Sequence, residues 1–117
     1  MENNEEIRSV LYTDEFDLFY SELDDRTKEK YRQGIEILKT VYVLSTKIVK
    51  KIVNTDLYEL RISVGYNEYR SLFFCADHEN VIQATQIILL NGFLKKSPKD
   101  YDKQIKRAIK ILKEIEL

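Results

Sequence analysis

Two arginines and a lysine pair are the residues of this chain whose types and spacing suit chemistry. Arg61 and Arg70 stand nine positions apart in two segments that read as strands, and a third such segment ends in Gly92-Phe93-Leu94-Lys95-Lys96. Fixed cations on strands and at a strand end suit binding or cleaving a phosphate backbone better than they suit sugar, peptide or metal chemistry. A guanidinium fork grips two phosphate oxygens and never loses its proton. The plainer alternative is that Glu59, Arg61, Glu68 and Arg70 only pair across strands at the surface. The single histidine, His78, sits between Asp77 and Glu79 in a loop and reads as a solvated side chain rather than a general base. No cysteine or histidine cluster suggests zinc, no glycine-rich loop cradles a nucleotide, and no motif supports a Ser-His-Asp arrangement.

The elements that must position these residues follow from periodicity. Ile7 to Tyr12 is a short strand, with Ile7, Ser9 and Leu11 on one face and Arg8, Val10 and Tyr12 on the other. Its edge could pair with a partner strand. Thr13 or Asp14 then caps a helix to about Leu23, in which Phe16, Phe19, Tyr20 and Leu23 repeat at helical spacing. Asp24-Asp25 restarts the pattern, and a second helix from about Arg26 to Val41 buries Tyr31, Ile35 and Leu38. Joined by a short turn, the two form an antiparallel pair over one face of a sheet.

From Val43 to Val53 β-branched residues mix with three lysines, which leaves an extended connection and a continued helix both open; we read it as mostly loop or irregular. Alternation then becomes clear. Tyr58, Leu60, Ile62 and Val64 share one face of a strand, opposite Leu57, Glu59, Arg61 and Ser63. With the helices over the first set, Arg61 points to the exposed side, whereas the direction of Arg70 depends on hairpin register. Gly65-Tyr66-Asn67 turns the chain into a strand from Glu68 to Ala76, and Asp77 to Asn80 leads into a third from Val81 to Leu94, completing an antiparallel meander. The run Ile87-Ile88-Leu89-Leu90 suits a central strand covered on both faces. Ser97 and Asp100 have capping-box spacing, Pro98 fits a first turn, and Tyr101, Ile105, Ala108, Leu112 and Ile115 mark a final helix. Its lysines and Arg107 read as a solvated face.

Composition bounds the rest. A chain of 117 residues, 44% apolar with three glycines and one proline, has room for one core and is expected to form a single α+β domain over residues 1–117. Cys75, within Phe73-Phe74-Cys75-Ala76, reads as a packed strand residue with no disulfide partner. The acidic N-terminus is unlike a signal peptide and no segment approaches a membrane span, so a cytoplasmic protein is expected. Residues 1–36 carry 11 acidic and 5 basic side chains against 9 and 14 in residues 37–117, so the net charge of −1 hides a basic half that holds the strands. A non-specific nucleic-acid binder is normally basic overall, which this chain is not.

Strand, two helices, three-stranded meander and terminal helix, in that order, resemble the RelE/ParE toxin superfamily. Leu57-Tyr58-Glu59-Leu60-Arg61, then Tyr69-Arg70, then Gly92-Phe93-Leu94-Lys95-Lys96 look like the phage-derived HigB-like branch, in which the three motifs occur in this order ahead of a helix rich in Ile, Ala and Lys. The resemblance implies a RelE-like fold: a small antiparallel sheet of N-terminal strand plus meander, with two N-terminal helices and one C-terminal helix. It further implies the toxin of a type II toxin–antitoxin pair, a metal-independent mRNA endoribonuclease associated with the ribosome and using no cofactor. Arg61, Arg70 and Lys95 would be its catalytic residues, and Lys47, Lys50, Lys51 and Lys96 would contact RNA. The partner would be an antitoxin of the helix-turn-helix type. Some relatives place a histidine or tyrosine for proton transfer near the end of the chain, where this one has helix running to Glu116-Leu117. The alternative of a different class is a ParE-like toxin that poisons DNA gyrase without catalysis.

Overall fold

In a computed structural model, which describes residues 5–115, five strands and three helices follow in the order β1 (Ser9–Tyr12), α1 (Asp14–Ser21), α2 (Asp25–Thr40), β2 (Val49–Lys51), β3 (Leu57–Val64), β4 (Asn67–Cys75), β5 (Gln86–Leu94) and α3 (Pro98–Ile115). The strands make one sheet in the order β1-β5-β4-β3-β2. The meander β3-β4-β5 is antiparallel as expected, with a two-residue turn at Gly65 and Tyr66 in which Gly65 takes the left-handed φ of 60° that glycine tolerates.

Three expectations are corrected. The sheet is mixed rather than antiparallel, because β1 runs parallel to β5, with Val10 beside Ile87 and Tyr12 beside Leu89. A period of two marks a strand but carries no pairing direction. The segment read as irregular contains a fifth strand, β2, whose Lys50 lies beside Glu59; its three residues are too few for a periodic signal. The third meander strand begins at Gln86, not Val81. Asn80 explains this: its carbonyl accepts from Gln83 and Ala84 N–H and its side chain from Ile82 N–H, which folds 81–85 into a turn although Val81 and Ala84 are buried.

Helix ends follow local chemistry. Thr13 Oγ1 accepts from Phe16 N–H and Asp24 Oδ1 from Thr27 N–H, so each side chain caps its helix. Ser97 Oγ does the same for Asp100 N–H ahead of α3, where Pro98 occupies the first position. Tyr31, Ile35 and Leu38 of α2 bury with Leu60, Ile62 and Val64 of β3, and Phe16 of α1 joins them with Ile87 and Leu89 of β5. Gly92 on β5 admits this packing, since a Cβ there would lie 2.3 Å from the Phe19 ring. On the opposite face α3 packs Ala108 and Ile111 against Leu57, Leu72, Leu90 and Phe93. The sheet face expected to be open is therefore partly covered, and of the two arginines on it Arg61 stays partly exposed while Arg70 is buried.

Candidate active site

Register decides the geometry that the sequence left open. Arg61 and Arg70 are direct cross-strand partners, flanked by Ile62 beside Tyr69 and Leu60 beside Ser71. Both guanidiniums project on the α3 face. Like charges directly opposite repel, and one carboxylate offsets them: Glu59 Oε2 lies 3.2 Å from Arg61 Nε and 3.6 Å from Arg70 Nε. Tyr101, in the first turn of α3, donates its hydroxyl proton to Glu59 Oε1 in a short hydrogen bond. Burial, and after it the Glu59 carboxylate, push the Tyr101 phenol above the ordinary tyrosine range, so it keeps its proton at neutral pH. Glu59 thus joins two strands to a helix 42 positions away in sequence.

The two arginines differ in what reaches them. Arg70 is 3% exposed, with Nη1 bonded to Tyr69 O at 2.9 Å and 3.3 Å from Glu68 Oε1. Ser63, and then Arg70, hold Glu68 below the usual carboxylate range. Arg61 keeps 30% of its side chain exposed, and Thr46 O accepts from its Nη1 at 3.5 Å. Arg70 thus stands beside Arg61 but deeper, with Nη1 taken by Tyr69 O and Glu68 and Nε facing Glu59, which leaves Arg61 as the guanidinium that solvent reaches more freely.

Above this pair lies an open groove of about 430 Å3 bordered by Lys50, Lys51, Glu59, Arg61, Lys95 and Tyr101. The backbone N–H of Lys95 extends the β4–β5 ladder by bonding Glu68 O at 2.7 Å, which carries the lysine to the groove's rim. Lys50 stands on β2 beside Glu59, and Lys51 lies over the Tyr58 ring at 5.6 Å with its ammonium on Thr55 O. Lys47 and Lys96 are exposed and border the groove at neither point, Lys47 following the Thr46 carbonyl that meets Arg61. The arrangement brings Arg61, Lys50 and Lys95 around one buried carboxylate and one neutral phenol, which can grip a polyanion and pass a proton, while the Lys51 ammonium is turned to the Tyr58 side of the sheet. Among the described residues no three His, Cys, Asp or Glu side chains gather as metal ligands would.

Sequence reasoning missed Glu59 and Tyr101 as members of the site. The signal for Glu59 was present, since it shares the Arg61 face of β3. Tyr101 stood in an apolar helical stripe, and its hydroxyl was the one polar atom there. His78 is exposed, its Nδ1 accepting from Asn80 N–H, and it lies on the far side of Lys51 from the arginines. Cys75 is buried, and burial pushes its thiol up to about 12, which suits packing rather than reactivity.

Comparison with known proteins bears on the same elements. The family model described as "Phage derived protein Gp49-like (DUF891)" matches residues 19–113, from α1 to near the end of α3. No curated protein matches by sequence. Among solved structures, a double mutant of the Escherichia coli toxin RelE in its free state is similar, with a TM-score of 0.58 over 86% of this chain and 97% of that one at 13% identity. Likeness at that identity speaks for the fold alone, and the family match covers the site. This chain belongs to the family of phage-derived Gp49-like proteins and has the RelE fold.

Proposed function

We propose that this toxin of the RelE superfamily acts in a type II toxin–antitoxin pair by cleaving mRNA at the ribosome without a metal. The observation that carries the reading is the groove in which Arg61, Lys95 and Lys50 border the Glu59–Tyr101 pair. RNA can cleave itself when its 2′-hydroxyl attacks the adjacent phosphorus. The P–O5′ bond breaks, a 2′,3′-cyclic phosphate and a 5′-hydroxyl form, and one proton leaves O2′ while another reaches O5′. Charge builds on the non-bridging oxygens, and Arg61 with the lysines is suited to stabilise it. Glu59, itself held by Arg70, holds Arg61 in place. Tyr101 and Glu59 serve the first proton transfer, the tyrosine oxygen taking the 2′-hydroxyl proton as its own passes to Glu59, so that no tyrosinate forms; the Lys95 ammonium gives O5′ its proton, and the Glu59 proton returns to the lysine through solvent.

A second reading is favoured by one observation. Glu59 engages both arginines and Arg70 is almost sealed, an arrangement that also serves a purely structural ion-pair cluster in a toxin that blocks DNA gyrase without catalysis. Purified protein incubated with mRNA-programmed ribosomes separates the two. The nuclease reading expects cleavage that Arg61→Ala lowers by about 100-fold or more. Intact mRNA with wild-type protein overturns it, and inhibited supercoiling by gyrase in a parallel assay supports the second reading.

A further inference from the structure

The two edges of the sheet are protected unequally. At one edge β2 is three residues long and carries Lys50 and Lys51, the charged residues with which natural sheets deter edge pairing. At the other, β1 reads Ser9-Val10-Leu11-Tyr12, with no lysine and no proline, and Leu11 and Tyr12 are 64% and 40% exposed. Ser9 N–H bonds Thr85 O and Thr13 N–H bonds Leu89 O. In a parallel ladder this alternation turns the N–H and C=O of Val10 and Tyr12 away from β5, toward open space.

Beside this edge runs a second groove, of about 400 Å3, floored by Phe16 and Ile35 and walled by Tyr12. Its lining carries two carboxylates and two cations, Asp17 and Glu36 with Arg32 and Lys39. Glu6 lies close enough to Tyr12 for its charge to be felt there, and Arg32 is engaged by Glu29 at 2.9 Å, which leaves Lys39 as the opposing cation. A second copy pairing edge to edge would bring these carboxylates against their own counterparts, which is unfavourable. A strand carrying lysine or arginine between apolar residues meets the edge with backbone hydrogen bonds, the groove with an apolar side chain and the rim with opposite charge.

We propose that β1 is a docking edge for an extended, basic segment of a protein partner, which adds a sixth strand beside Val10 and Tyr12 and sets an apolar side chain between α1 and α2. The site is distant from the arginines and stands whether or not the protein cleaves RNA. The test uses the full chain, 15N-labelled, and two blocked peptides, Lys-Val-Lys-Val-Lys-Val-Lys and Glu-Val-Glu-Val-Glu-Val-Glu. The lysine peptide is expected to protect the Val10 and Tyr12 amides from hydrogen exchange and to shift Phe16 and Ile35 resonances, and the glutamate peptide to do neither. Tyr12→Pro, which removes an outward N–H that no protein group accepts, should weaken binding by about tenfold. Asp17→Lys with Glu36→Lys should weaken it comparably, and serves as the test if the proline variant fails to fold. Equal binding of the two peptides, unprotected Val10 and Tyr12 amides, shifts confined to Lys50 and Lys51, or protection of β1 that grows with protein concentration alone would each overturn the proposal, the last in favour of a second copy.

Discussion

Arg61 and Arg70 stand opposite one another, yet water reaches only Arg61 in quantity. Losing Glu59 would take from a buried guanidinium the more buried of its two carboxylates, leaving Glu68, whereas losing Arg61 removes a partly exposed ion pair. Glu59→Ala is therefore expected to cost about 2–4 kcal/mol in urea unfolding. Arg61→Ala is expected to cost under about 1 kcal/mol while abolishing most cleavage. Equal costs would mean that the two arginines share one environment. Alternation along Leu57 to Val64 was enough to place Arg61 and Glu59 on one face. The burial of Arg70 was not legible, because it depends on α3 and on Tyr69, Glu68 and Glu59 closing around it. Tyr101 was hidden for a similar reason: its hydroxyl finds its partner only when α3 lies across β3.

At the scale of elements, Arg8 fixes the start of the sheet. It is almost fully buried and donates to five carbonyls: Leu38, Val41 and Tyr42 at the end of α2, and Val81 and Ile82 in the turn before β5. The carbonyl-rich end of α2 takes the place of a carboxylate. Arg8→Met should strand several of these oxygens and lower stability by about 3 kcal/mol or more, read from the urea midpoint. Nothing in a strand pattern distinguishes this arginine from a solvated one, since its partners come from segments 30 to 74 positions away. Gly92 is the opposite case, a motif residue with a packing cause. Gly92→Ala should cost about 1–3 kcal/mol by driving a methyl group into Phe19, and the penalty should shrink in a Phe19→Leu background. If the two backgrounds respond alike, the Phe19 contact is not the reason for the glycine.

Across the whole molecule, two buried groups and one partly buried one, all neutral, sit on or near the sheet. Burial raises the Tyr31 phenol, whose hydroxyl shares a 2.8 Å hydrogen bond with Ser71, and it raises Cys75 and Tyr101 as well. A group whose folded pKa lies above its unfolded one contributes stability that is complete below the unfolded value and is lost as pH rises toward the folded value. Stability should therefore fall once pH passes the ordinary values of 9.0 for cysteine and 10.0 for tyrosine. Tyr31→Phe should flatten the fall in urea midpoint between about pH 10 and 12. An unchanged slope would show that Tyr31 does not carry it. The sequence by itself determined the three helices and the Ser97 cap of the last, the β3-β4-β5 meander, the stripe Tyr31-Ile35-Leu38 and the strands bearing the arginines, since each follows from periods and end residues within a few positions. Tertiary structure alone decided that β1 joins β5 in parallel, that three residues of the irregular segment become an edge strand, that Arg70 is sealed, and that Glu59 meets Tyr101. Those outcomes depend on which distant groups satisfy one another's charge and hydrogen bonds, and local periodicity carries no record of a partner tens of residues away.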